Sequence, residues 1–164
     1  MAKKRMRPVS SGVKVRGSFR LKIVNPDGVI AADSGWKDNQ IVDGGFQQFL
    51  QFALIGSAGS KTATHAALGT GTVPGASATT LPGEITDAAG CRCALTTGTT
   101  GSKTVSFTFT LASGITTAAK TIQNVGLFNG STTNAGTMFA GNTYATSALA
   151  TNQAVNGTYQ ISFA

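Results

Sequence analysis

Apolar and polar residues alternate strictly along VKVRGSFRLKIV, positions 13 to 24. Val13, Val15, Phe19, Leu21 and Ile23 fall on one side, and Lys14, Arg16, Ser18, Arg20 and Lys22 on the other. Successive side chains of a strand point to opposite faces, so this period of two predicts a half-buried strand with a basic outer face. NPDG at 25–28 has turn chemistry, and VIAADSGW at 29–36 is expected to return as the partner strand. The period then changes. Phe46, Phe49, Leu50, Ala53 and Leu54 are spaced as one helical stripe, which predicts a single amphipathic helix over 43–57. Asp43 is the expected N-cap and Gly56 the expected stop. The stripe is expected to cover an open end or face of a sheet.

Beyond it the pattern returns to short strands, at 64–71, 91–95, 104–112, 121–130, 136–145 and 154–164. Val105, Phe107, Phe109 and Leu111 share one face, as do Val155, Gly157, Tyr159, Ile161 and Phe163. In TIQNVGLFNG, Ile122 is out of phase with Val125 and Leu127, which predicts a bulge near Asn124. Seven or eight short strands without βαβ alternation predict a mainly β fold: an antiparallel, jelly-roll-like β-sandwich or a small barrel. The expected layout is a basic N-terminal arm over 1–12, which Pro8 and Ser-Ser-Gly keep from being helical, and one domain over 13–164.

Charge sharpens this picture. Only 12% of the 164 residues are charged, about half the globular norm, so much of the surface is expected to be covered by neighbours. The net charge of +7 is concentrated: eight of 13 basic residues, Lys3, Lys4, Arg5, Arg7, Lys14, Arg16, Arg20 and Lys22, precede the first acid, Asp27. These eight are the candidate partner-binding residues, facing either an acidic protein surface or nucleic acid. Like charges along one strand face repel, so an anionic partner would relieve a cost there. No base-stacking aromatic accompanies them, since Phe19 is expected in the core. The basic start runs into VSSG rather than an apolar stretch, and no apolar run approaches the ~20 residues of a membrane span. Synthesis in the cytoplasm is expected.

Candidate chemistry is sparse. The glycine-rich ALGTGTVPGASATTLPGE, 67–84, lacks the lysine and the following helix of a phosphate loop, and Pro74 removes an N–H. Asp27, Asp33, Asp38, Asp43, Glu84 and Asp87 lie in or near turns at spacings that match no calcium loop. Cys91 and Cys93 are too few for a disulfide framework or a zinc site; with Leu95 they read as core filler, as free thiols. A Cys–His nucleophile would need one of them to meet His65. The reading is of a non-enzyme, with no catalytic, metal or cofactor-binding residue.

Several motifs in order, NQIVDGG before an aromatic-rich helix, AALGTGT…TTLPGE, IQNVGLFNG with GTMFAG behind it, and the alternating C-terminal strand, resemble a group of small β-rich virion structural proteins of tailed bacteriophages. The resemblance covers roughly residues 36 to 164 and leaves out the basic segment. It implies a particle component, either a head decoration or cement protein or a tail-fibre or collar protein. The implied partners are the major capsid protein or other virion proteins, in a homo-oligomer such as a trimer. It also implies a loop role for Gly69, Gly71 and Gly75, with Glu84 tying the loop down or pairing with Arg92, and a central strand in which Gly126 permits close approach.

Overall fold

The computed structural model describes residues 12, 14–59 and 61–164. Ten antiparallel strands form it: β1 (Val15–Val24), β2 (Ile30–Asp33), β3 (Lys37–Ile41), β4 (His65–Gly69), β5 (Arg92–Ala94), β6 (Thr96–Thr99), β7 (Thr104–Leu111), β8 (Lys120–Phe128), β9 (Met138–Leu149) and β10 (Ala154–Phe163). The sheet runs β5-β4-β8-β9-β3-β1-β10-β7-β6, and β2 pairs with β1 off this path. Only Leu95 separates β5 from β6, so one bent run pairs with β4 at its start and with β7 at its end. That run curls the sheet nearly into a barrel, with a sandwich-like division into two halves joined through β3. β2 and β3 are likewise two parts of one bent run, broken at Gly35, whose φ is +61°. Counting each bent run once leaves eight, within the expected range.

The alternation predicted for β1 holds from Val15 onward, and Val13 lies outside the described residues. Phe19, Leu21 and Ile23 are buried in the main core, and the strand lies between β10 and the β2/β3 run. Phe107, Phe109 and Leu111 of β7 and Val155, Tyr159 and Ile161 of β10 join it from their own alternating faces. The bulge in β8 lies between Ile122 and Asn124, as the phase shift required. It keeps Ile122, Val125 and Leu127 inside and turns Asn124, Gly126 and Phe128 to the other face.

That other face is not left to solvent. The stretch 70–84 folds over it, and Leu81 with Ala78 packs on Val42, Ala67, Phe128 and Met138 as a second, smaller core. The Asn124 side-chain amide donates towards the carbonyls of Gly71, Thr72 and Pro82 at 3.1, 2.8 and 2.9 Å. Gly126 does make room, but for side chains: a Cβ there would stand 3.2 Å from Leu81 Cδ1 and 2.9 Å from Phe128 Cε2.

The predicted helix forms between Asp43 and Leu54 but departs from α geometry. Phe46–Gln51 is π-helical, flanked by single α turns at Asp43–Gly45 and Phe52–Leu54. A π turn bonds i to i+5, so side chains drift off the 3.6-residue stripe. Of the stripe residues Phe49 alone is buried, 5.0 Å from the Phe139 ring, and Leu50 is partly covered. Phe46, Ala53 and Leu54 remain exposed, correcting the expectation of a wholly covered stripe. Asp43 makes no side-chain cap; its N–H instead donates to the Ala76 carbonyl of the overlying loop. The stop is as expected. Gly56 has φ +63°, its N–H donates to Ala53 and that of Ser57 to Phe52, the paired bonds of a glycine-terminated helix.

Candidate functional site

Four of the eight candidate basic residues, Lys3, Lys4, Arg5 and Arg7, lie outside the described residues. The other four line the outer side of β1 and its start. Lys14 and Arg16 are exposed, and Arg20 and Lys22 half-buried. Lys14 is fixed through its main chain, exchanging two hydrogen bonds with Ala164. The outward neighbours on β10 are Ser162, Gln160, Thr158 and Asn156, in register with Arg16, Ser18, Arg20 and Lys22. The row of cations therefore borders a neutral, hydroxyl- and amide-bearing surface, with no aromatic platform among those facing residues.

The row is not uniformly free. Arg20 donates two hydrogen bonds to Asp33, Nε to Oδ1 at 2.9 Å and Nη2 to Oδ2 at 2.5 Å. This fork, with the Gly35 N–H on the same carboxylate, holds Asp33 well below the usual carboxylate range and raises Arg20 in turn. Lys22 stands directly opposite Asp33 on the paired strand. Part of the like-charge repulsion along β1 is thus relieved inside the hairpin, and on the β3 side Asp38 stands opposite Ser18 and shares a shallow cavity with Arg16, so an acid also borders this end of the row.

The residues weighed for catalysis stand apart from one another. Cys91 and Cys93 are free thiols inside the core, and burial, with Cys91 next to it, pushes the Cys93 thiol up to about 12. Ala66, which pairs with Cys93, faces the main core, whereas His65 faces the other way, its Nδ1 2.9 Å from the Thr64 hydroxyl. Burial and the nearby Arg92 lower the His65 pKa. Glu84 and Asp87 each hold an ion pair. Glu84 is buried against Arg92, which donates to it from Nε and Nη2, stacks 3.6 Å over the Phe128 ring and donates to the Gly130 and Ala135 carbonyls. Asp87 pairs with Lys120 at 2.9 Å and accepts from Thr117, which lowers its pKa. Both acids brace loops. Among the described residues no three His, Cys, Asp or Glu side chains gather closely enough to hold a metal, and no helix is long and apolar enough to cross a membrane.

Sequence reasoning missed a second feature beside the basic row. Where β1 begins and β10 ends, an apolar groove of about 540 Å³ opens against the helix. The helical spacing predicts these residues as cover for the sheet, but Phe46, Ala53 and Leu54 stay outside. Compared with known proteins, the chain matches no protein-family model, no curated protein and no solved structure.

Proposed function

We propose that the protein is a non-enzymatic structural component of a tailed-bacteriophage virion, a decoration or cement protein that docks on the head lattice through the basic outer side of β1. The observation that carries this reading is the one-sided row Lys14, Arg16, Arg20 and Lys22 on a strand whose opposite side anchors the core. A strand held on both edges presents its cations in fixed register, which gives orientation and selectivity against an acidic surface. Sparse charge elsewhere supports burial against neighbours: the 44 residues from Thr121 onward carry no charged side chain. A homo-oligomer such as a trimer, meeting the major capsid protein, fits both features. Glu84, Asp87, Cys91 and Cys93 have structural roles in this reading.

Copy number tests it. Quantitative mass spectrometry of purified particles, normalised to the major capsid protein, is expected to give a ratio near one-to-one. A few copies to a few dozen per particle would move the chain to the tail, as a fibre, collar or minor tail component. Absence from particles would overturn the virion reading in favour of a nucleic-acid-binding module, whose DNA affinity falls steeply with salt.

A further inference from the structure

The outer side of the sheet carries a second pattern, which runs across the strands rather than along one. Asp33 pairs with Lys22 but Lys37 with Phe19, so one extra residue lies between, and Gly35 at φ +61° absorbs it. One step back from Lys37 sets Trp36 opposite Arg20, on the outer side with Asp38. Trp36 is the single tryptophan of the chain and is 47% exposed. From Arg20 the register continues to Thr158 on β10, Thr108 on β7 and Thr96 on β6. The three threonines, with Asn156 and Thr110 of the next row, line an open concavity of about 550 Å³. One row thus joins an indole, a guanidinium held by the Asp33 fork and three hydroxyls, across four strand spacings of about 4.8 Å each.

The chemistry of the row selects its occupant. A hydroxyl both donates and accepts, so a line of threonines matches a ligand whose own groups do both. The C–H face of a sugar ring stacks on an indole, which is large, rigid and amphipathic. The Asp33 fork engages Nε and Nη2 of Arg20 and leaves Nη1 for a ligand oxygen. Nucleic acid needs several free cations for its phosphates. Here Arg20 is the one cation of the row, Asp33 already holds it, and Lys22 beside it faces the same carboxylate. A protein partner gains most from buried aromatic and Arg anchors, among which threonine is under-represented. We infer that the row is a binding site for a neutral oligosaccharide lying across the strands, stacked on Trp36 and hydrogen-bonded by Arg20, Thr158, Thr108 and Thr96. This goes beyond the virion reading and does not rest on it. Both use Arg20, so a bound glycan and a docked lattice exclude one another.

The test titrates the full chain with linear hexasaccharides of glucose, mannose, galactose and N-acetylglucosamine. Trp36 is its own probe, since the chain has no other indole. At least one hexasaccharide is expected to bind at millimolar concentration or below and to shift the emission to shorter wavelength. Its monosaccharide should bind about tenfold more weakly or worse, because it reaches only part of the row. Raising salt from about 0.1 M to about 1 M should leave the affinity unchanged, because the ligand carries no charge. In calorimetry, Trp36→Ala and the double variant Thr108→Val/Thr158→Val should each weaken binding about tenfold. Valine keeps the β-branched shape of threonine, and an unchanged circular-dichroism spectrum checks the fold of both variants. Arg16→Ser, outside the row, should bind as wild type does. Absence of binding by all four sugars, or unchanged affinity in either row variant, overturns the inference. So does an emission that responds only to oligothymidylate and loses that response at high salt.

Discussion

Gly45 sits in the first turn of the helix, where its backbone lies against β9. A Cβ at this position would stand 2.0 Å from the Phe139 carbonyl oxygen and 2.9 Å from Ile41 Cγ2. Helix propensity alone favours Gly45→Ala by roughly 0.5–1 kcal/mol. Forcing an extra carbon into a packed site costs about 1–3 kcal/mol, and the nearest obstacle is main chain that cannot rotate away. The contact wins, so Gly45→Ala is expected to lower the urea midpoint; an unchanged or higher midpoint would mean that the helix can lift off β9. Burial makes a second expectation at this scale. With its thiol pushed up to about 12 and enclosed by the core, Cys93 should resist a thiol-specific reagent at pH 8, as should buried Cys91. Both should react once guanidinium unfolds the chain. Rapid labelling of the native protein would contradict the core placement. Asp33 supplies the pH dependence. Its native pKa lies below the ordinary 3.8, so the native state prefers the ionised form. Its contribution is complete above that ordinary value and is lost as pH falls through the depressed one. Asp33→Asn should therefore be less stable than wild type at pH 7, and the gap should narrow steadily below pH 4; a gap independent of pH would contradict the Arg20 pairing.

Among the elements, those with a strong period of two were the most legible, the short strands β4 and β5 were also found, and β3 and β6 were missed. β1, β7 and β10 each carry apolar residues on one face, and their registers follow the pattern residue by residue. KDNQI and TTGT, the sequences of β3 and β6, have no such face. They are strands because barrel closure offers them partners, a tertiary effect that local pattern does not encode. The helix was legible in place but not in phase, because nothing in Phe46–Gln51 announces i to i+5 bonding. Arg92 and Glu84 show the opposite case, a pairing open in the sequence that became a buried junction of three elements. Arg92 leaves from β5, Glu84 from the end of the overlying loop, and the bonded carbonyls of Gly130 and Ala135 from the segment between β8 and β9. Breaking a buried pair strands a charge and costs about 3–5 kcal/mol, whereas replacing both members by apolar residues costs much less. Glu84→Gln and Arg92→Met should each destabilise the chain on that scale, and the double variant Glu84→Leu/Arg92→Met should lie closer to wild type than either. Additive losses in urea unfolding would show that the two side chains act separately.

For the whole molecule, the basic row and the apolar groove lie on opposite sides of the start of β1, and only the row was visible in sequence. The charge cluster is a linear feature and could be read directly; the groove joins residues from position 15 to position 163 and exists only once the barrel closes. Folding and the proposed docking make separable demands on β1, since the core uses Phe19, Leu21 and Ile23 while the cations point away. Replacing Lys14, Arg16, Arg20 and Lys22 together with Ser should keep the circular-dichroism spectrum and a thermal transition near that of wild type, because none of the four is buried in the core. The loss of the Arg20–Asp33 fork is the one internal contact sacrificed, and it lies at the surface, where ion pairs contribute little. Incorporation into particles should nevertheless be lost, as the variant no longer complements an acidic partner. Salt provides an independent check on wild type. Screening shortens the reach of these charges from about 10 Å at 0.1 M to about 3 Å at 1 M, so a dock made by exposed cations should loosen across that range. Particles that take up the four-Ser variant normally and keep wild type at high salt would show that β1 is only a structural strand and that attachment lies elsewhere on the barrel.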